Sequence, residues 1–175
     1  KRPMDRLIKF LKVEKLCYNQ IIIILEGIMA FAKIVFASMT GNTEEIADIV
    51  AQKLEELGHT VDVDECTTVD ADEFQDADIA IVASYTYGDG ELPDEIVDFY
   101  EDLQDLDLSG KIYGVVGSGD TFYDYFCKAV DDFEMAFEGT GATKGAESVK
   151  VDLAAEDEDI ENLEKFAQEI AEKAE

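Results

Sequence analysis

Beyond Met29 the sequence alternates between short apolar runs and amphipathic stretches at helical spacing, and few architectures accept that pattern. Lys33–Ala37 is almost continuously apolar, as a strand buried on both faces requires. Thr43–Leu57 then places Ile46, Ile49, Val50, Leu54 and Leu57 on one helical face, and Gly58 is a natural stop. Thr60–Asp64 alternates as an edge strand does, and Asp70–Asp76 reads as a short helical turn. Asp78–Ser84 is a second buried strand, followed by a helix over Asp94–Leu103 with Ile96, Val97, Tyr100 and Leu103 inward. Lys111–Gly117 is a strand, and Tyr125–Phe137 is a helix with Phe126, Val130, Phe133 and Phe137 in register. The pattern closes with a strand over Ser148–Leu153 and a helix over Asp157–Ala174. Strands alternating with helices predict an α/β fold: a doubly wound parallel sheet of five strands with helices on both faces.

Ligands of such sheets bind outside the carboxyl ends of the strands, where strand order reverses. Three unusual loops fall there. The first is Ser38-Met39-Thr40-Gly41-Asn42-Thr43, a hydroxyl-rich turn between a strand and a helix. The helix's first turn offers unpaired N–H groups and the positive end of the dipole, a natural seat for phosphate. Ser38, Thr40 and Thr43 add hydroxyls, and Gly41 allows close backbone approach. The loop lacks Lys and Arg, so it is not the lysine-bearing loop GxxxxGK[ST]; it suits a phosphate that is held and not transferred. The second loop is Ser84-Tyr85-Thr86-Tyr87-Gly88-Asp89-Gly90 and the third is Gly117-Ser118-Gly119-Asp120-Thr121-Phe122-Tyr123. Tyrosines flanked by glycines at strand ends more often line a flat ligand than fill a core.

Fourteen basic and 42 acidic residues give a formal net charge of −28. Nucleic acid and anionic membrane are therefore unsuitable partners. The 47% apolar content argues against disorder. Cys17, Cys66 and Cys127 form no close pairing, which excludes a disulfide framework or zinc motif and fits a reducing cytoplasm. His59 stands alone after Gly58 and is expected at the surface; a histidine-based triad or metal cluster is excluded.

Lys1–Ile28 differs from the rest: it carries a net +3, leaving −31 and no arginine on residues 29–175. Ile21–Leu25 is far short of the roughly 20 apolar residues of a membrane span. A signal peptide ending near Ala30-Phe31-Ala32 would be cut directly against the first core strand. Residues 1–28 are therefore expected to be non-native upstream sequence or disordered, and 29–175 to form one domain.

SMTGNT, SYTYGDG and GSGDTFYDYFCKAVD, in this order and at these distances, resemble the short-chain flavodoxins over essentially all of Met29–Glu175. The region Gly145–Leu153 lacks the long insertion of the long-chain members. The resemblance implies strand order 2-1-3-4-5 and tightly but non-covalently bound FMN. Ser38, Thr40, Asn42 and Thr43 would hold the phosphate. Tyr87 would lie against the inner face of the flavin ring and Tyr123 would cover the outer face. Thr86, Gly88, Asp89, Gly119 and Asp120 would contact the ring, and Met39, Gly41, Gly117, Phe126 and Cys127 belong to the same expected site. The family often has a phosphate-binding serine where Tyr85 stands; the Tyr85 phenol or Ser84 could replace it.

The resemblance further implies a low-potential one-electron carrier cycling mainly between semiquinone and hydroquinone, with no substrate of its own. The Gly88 carbonyl would accept a hydrogen bond from the flavin N5–H after the Gly88–Asp89 peptide turns over, a motion glycine makes cheap. Partners would be redox enzymes with basic docking patches, such as flavin reductases and iron–sulfur oxidoreductases, met by a monomer. A reductase component dedicated to one enzyme is the alternative. Other functions on this architecture fit poorly. A phospho-accepting receiver needs aspartates where Ala83-Ser84 and Ala37-Ser38 stand, and a cysteine–arginine phosphatase loop needs an arginine.

Overall fold

The computed structural model describes residues 29–174. The expectation for residues 1–28 lies outside them. In chain order the elements are β1 (Phe31–Phe36), α1 (Asn42–Glu56), β2 (Thr60–Glu65), β3 (Ile79–Tyr85), α2 (Val97–Gln104) and β4 (Ile112–Gly119). They continue with α3 (Lys128–Gly139), β5 (Thr143–Lys144), β6 (Val149–Asp152) and α4 (Asp157–Ala174). Short 3-10 turns occupy Ala71–Gln75 and Asp94–Ile96.

The sheet runs β2-β1-β3-β4-β5, with β6 also on β4, and every pairing is parallel. This is the doubly wound order expected, with its switch point between β1 and β3. The expected strand Ser148–Leu153 is instead the second of two short pieces, β5 and β6, that share one position in the sheet. Gly145 lies between them, and a Cβ there would stand 2.6 Å from Ile170 and 2.8 Å from Ile112. The chain is thus drawn in against α4 where a continuous strand would have run straight.

Each face of the sheet buries its own core. Ala32 and Ile34 of β1 point with Ile79, Ile81 and Val116 toward α1 and α4, where Ile46, Val50, Leu54, Leu163, Phe166 and Ile170 meet them. Val35, Ala80, Val82 and Val115 point the other way, onto Phe99, Leu103, Val130, Phe133 and Phe137. There Tyr113 and Phe137 stack with ring centroids 4.8 Å apart.

Two further expectations need correction. His59 is buried, at 6% exposure, because the reversal at Gly58 turns its ring under the start of β1. Its Nδ1 accepts the Ala30 N–H at 3.1 Å. The third long helix starts at Lys128 and not Tyr125, because Cys127 is held in the left-handed region at φ 50° and breaks the helical path. Lys33, inside the apolar run of β1, is 3% exposed, with Nζ 2.9 Å from Asp62, 2.5 Å from Asp64 and 2.7 Å from Glu73.

Candidate functional site: a cleft at the carboxyl edge of the sheet

β1 delivers the first loop to the switch point. Ser38 Oγ accepts the Gly41 N–H at 3.1 Å, which folds the loop back on itself and leaves the hydroxyl proton free. Gly41 then starts α1 at φ 93°, a left-handed conformation that costs a side-chain-bearing residue energy. No side chain caps α1 at this end, so its first N–H groups remain available at the positive end of the dipole. Thr43 is buried beneath them, and its Oγ1 lies 2.9 Å from Ser118 Oγ.

The second loop leaves β3 and folds into a small hairpin. Tyr87 and Glu91 exchange backbone bonds of 2.8 and 2.9 Å, with Gly88 at φ 49° and Gly90 at φ 97° between them. A Cβ at Gly88 would meet nothing within 4 Å, so only its backbone conformation favours glycine. Thr86 is fixed from two sides: its N–H donates to Ser118 O at 3.2 Å and its Oγ1 accepts the Ala129 N–H at 3.0 Å. Asp89 and Tyr87 are exposed.

Two hydroxyls near the start of this loop are already engaged. Ser84 is fully buried and donates to its neighbour's carbonyl at 3.0 Å. Tyr85 Oη donates to Glu95 Oε1 at 2.9 Å. Burial, followed by that bond to Glu95, raises the phenol above its ordinary pKa, so it keeps its proton.

The third loop leaves β4. A Cβ at Gly117 would collide with the Ser84 carbonyl, and one at Gly119 would stand 2.8 Å from the Cys127 nitrogen. These glycines let the strand ends and the loop pack closely. Asp120 ties the loop together by accepting the Phe122 N–H at 2.8 Å through its carboxylate. Thr121 is anchored to Asp152, with a 2.7 Å hydroxyl bond. Phe122 is 85% exposed and meets the ring of Tyr123 edge-on. Phe126 is half-buried. Cys127 is fully buried, and burial pushes its thiol up to about 12, which leaves it unreactive.

The three loops enclose a cleft of about 160 Å³. Met39, Thr40, Asn42 and Thr43 line it from the first loop, Tyr85 and Thr86 from the second, and Gly119, Asp120 and Tyr123 from the third. Gly41 and Ser38 shape the first wall without lining it. Ser84, Gly117, Phe126 and Cys127 form the packed support behind, and Tyr87, Gly88 and Asp89 extend the second wall outward. Sequence reasoning missed Ser118 and Leu153, which also line the cleft. Ser118 stood within the third loop among more conspicuous glycines. Leu153 read as the end of a strand, whereas it leaves the strand at φ 61° and stands half-exposed. A larger depression of about 330 Å³ between β6 and α4 lacks this convergence of loops.

One wall thus offers free N–H groups and hydroxyls to an anion, and the opposite walls offer tyrosines to a flat ring. Both halves of FMN are suited by this donor set. The flavodoxin family profile matches residues 34–166. Probable flavodoxin 2 of Bacillus subtilis (strain 168) is 42% identical over 147 residues, 83% of this chain and 97% of the relative. The solved Streptococcus pneumonia TIGR4 flavodoxin is 78% identical with a TM-score of 0.81, over 82% of this chain and 99% of that one. A short-chain flavodoxin associated with a PDU bacterial microcompartment is 50% identical with a TM-score of 0.83, over 84% and 100%. The chain therefore belongs to the flavodoxin family of FMN-binding electron-transfer proteins.

Proposed function

We propose that this flavodoxin is a low-potential one-electron carrier that converts no substrate and moves electrons between redox enzymes in the cytoplasm. The observation that carries this reading is the convergence of an uncapped helix start and two tyrosine-bearing loops on one cleft. When bound there, FMN supplies electron transfer in single steps.

The chain's own residues set the terms. The N–H groups at the start of α1, with Ser38, Thr40, Asn42 and Thr43, would hold the phosphate without any cation. Because the Ser84 and Tyr85 hydroxyl protons are directed elsewhere, the phosphate would rest on the first loop alone. Tyr123 and Tyr87 would cover the two ring faces and limit water. Gly88 sits at φ 49°, a region glycine enters at little cost, which suits a peptide that turns over to present its carbonyl to a ring N–H. Asp89, Glu91, Asp94 and Asp124 are exposed around these loops, and Asp120 is half-buried at the cleft wall. Such carboxylates, with aromatic cover, disfavour added negative charge on the ring and drive the last reduction step to low potential.

The same charge selects partners. Residues 29–175 carry −31 with no arginine, which suits a monomer that docks transiently on basic patches of flavin reductases or iron–sulfur oxidoreductases. Among the described residues no helix is long and apolar enough to cross a membrane. The proposal is tested by adding a reductase with a basic docking face and an acceptor with its own iron–sulfur centre. Catalytic amounts of this chain should restore electron flow between them. No flow with any such pair would reject the shuttle role.

A further inference from the structure

Ser118 touches all three loops, although nothing in its residue type announces this. Its side chain meets Thr43 of the first loop at 2.9 Å, its carbonyl receives the Thr86 N–H of the second at 3.2 Å, and it is itself part of the third. Its place in β4 is fixed by register, opposite Tyr85 of β3. Thr43 is 1% exposed and Ser118 5%, yet both line the cleft.

The proton count is informative. Two hydroxyls carry two protons, and one of them is spent between the pair. Neither oxygen has a second hydrogen-bond partner among the described residues. The remaining proton therefore has only the cleft to point into. Thr43 belongs to the first turn of α1, where uncapped N–H groups draw an anion. An anion seated there accepts from Thr43, and Ser118 must then donate to Thr43.

We propose that Ser118 is a positioning residue for the phosphate of FMN: it donates to Thr43 and so holds the Thr43 hydroxyl as a donor aimed at the anion. This inference rests on the FMN reading of the cleft. In a first loop without a cation, each correctly oriented donor weighs more. Without Ser118 the Thr43 oxygen loses its donor, so the phosphate alone must order the Thr43 hydroxyl and one buried hydrogen bond is lost from the bound state.

The test uses the full chain freed of flavin, with folding of each variant checked by circular dichroism. Affinities for FMN and for riboflavin, which lacks the phosphate, are read from quenching of flavin fluorescence. Ser118→Ala should lower FMN affinity about three- to tenfold, the worth of one hydrogen bond, and change riboflavin affinity less than about twofold. In a Thr43→Val background the same substitution should have almost no further effect on FMN, because the residue acts through Thr43. Equal losses for both flavins would mean a merely structural role and overturn the proposal. So would a full loss in the Thr43→Val background, or no loss at all. A wild-type chain that binds neither flavin would instead reject the cofactor reading, and the proposal with it.

Discussion

Lys33→Met isolates the charge cluster that ties β1 to β2. The Lys33 side chain is 3% exposed, and its ammonium meets Asp62, Asp64 and Glu73, which are 55%, 33% and 46% exposed. Burial opposes the charge, but hydrogen bonds to Asp64, Glu73 and Asp62 outweigh it and hold the lysine above its ordinary pKa. Ion pairs with partly exposed partners are worth about 0.5–1 kcal/mol each, so three give about 2 kcal/mol. Methionine fills similar space and removes the cost of burying an ammonium, which returns part of this. The net cost of Lys33→Met should be about 1 kcal/mol. The reverse perturbation differs in kind. Asp62→Asn, Asp64→Asn and Glu73→Gln together leave a buried ammonium with no counter-charge, at about 3 kcal/mol or more. Urea unfolding of both variants at about 0.5 M salt, where long-range repulsion is screened, should place the triple variant below Lys33→Met. The wild type's advantage over Lys33→Met should be complete from neutral pH, where the three carboxylates are ionised, up to about pH 10.4, the unfolded lysine value. It should fade as pH rises through the higher folded value. A Lys33→Met variant less stable than the triple variant would refute this reasoning.

Three further outcomes concern the cleft. Tyr123→Ala should weaken FMN binding by about tenfold and make the second reduction step less negative, because lost stacking admits water; fluorescence titration and potentiometry check both. Gly88→Val should narrow the gap between the two reduction potentials, because a branched side chain at φ 49° strains a loop that has to turn over; spectroelectrochemistry reads the gap. The second-order rate of electron transfer to a basic reductase should fall steeply as ionic strength rises, since steering is screened beyond about 8–10 Å at physiological salt. A flat stopped-flow profile would point to a tightly docked, dedicated partner.

What was legible in the sequence was whatever local pattern governs. The apolar runs of β3 and β4 and the helical spacing of α1 and α4 specify buried parallel strands and covering helices almost without reference to the rest. Gly41 marks the turn from β1 into α1, and the structure starts that helix at Gly41 without a side-chain cap. What escaped depends on distant partners. His59 turns under the start of β1, where Ala30, 29 residues away, donates its N–H to the ring. The division between β5 and β6 follows from Gly145 fitting against Ile112 and Ile170. Cys127 takes a left-handed conformation where the third loop closes on Gly119, and no periodicity encodes that. The engagement of Tyr85 with Glu95 and the role of Ser118 arise only once three loops meet at one edge.

The most direct test of the account is the visible spectrum of the purified full chain during anaerobic, stepwise reduction. The account predicts a yellow protein with about one FMN per chain, reduced in two well-separated one-electron steps, the second at much lower potential. A colourless protein that takes up no added FMN, or one whose flavin is reduced in a single two-electron step, would contradict it.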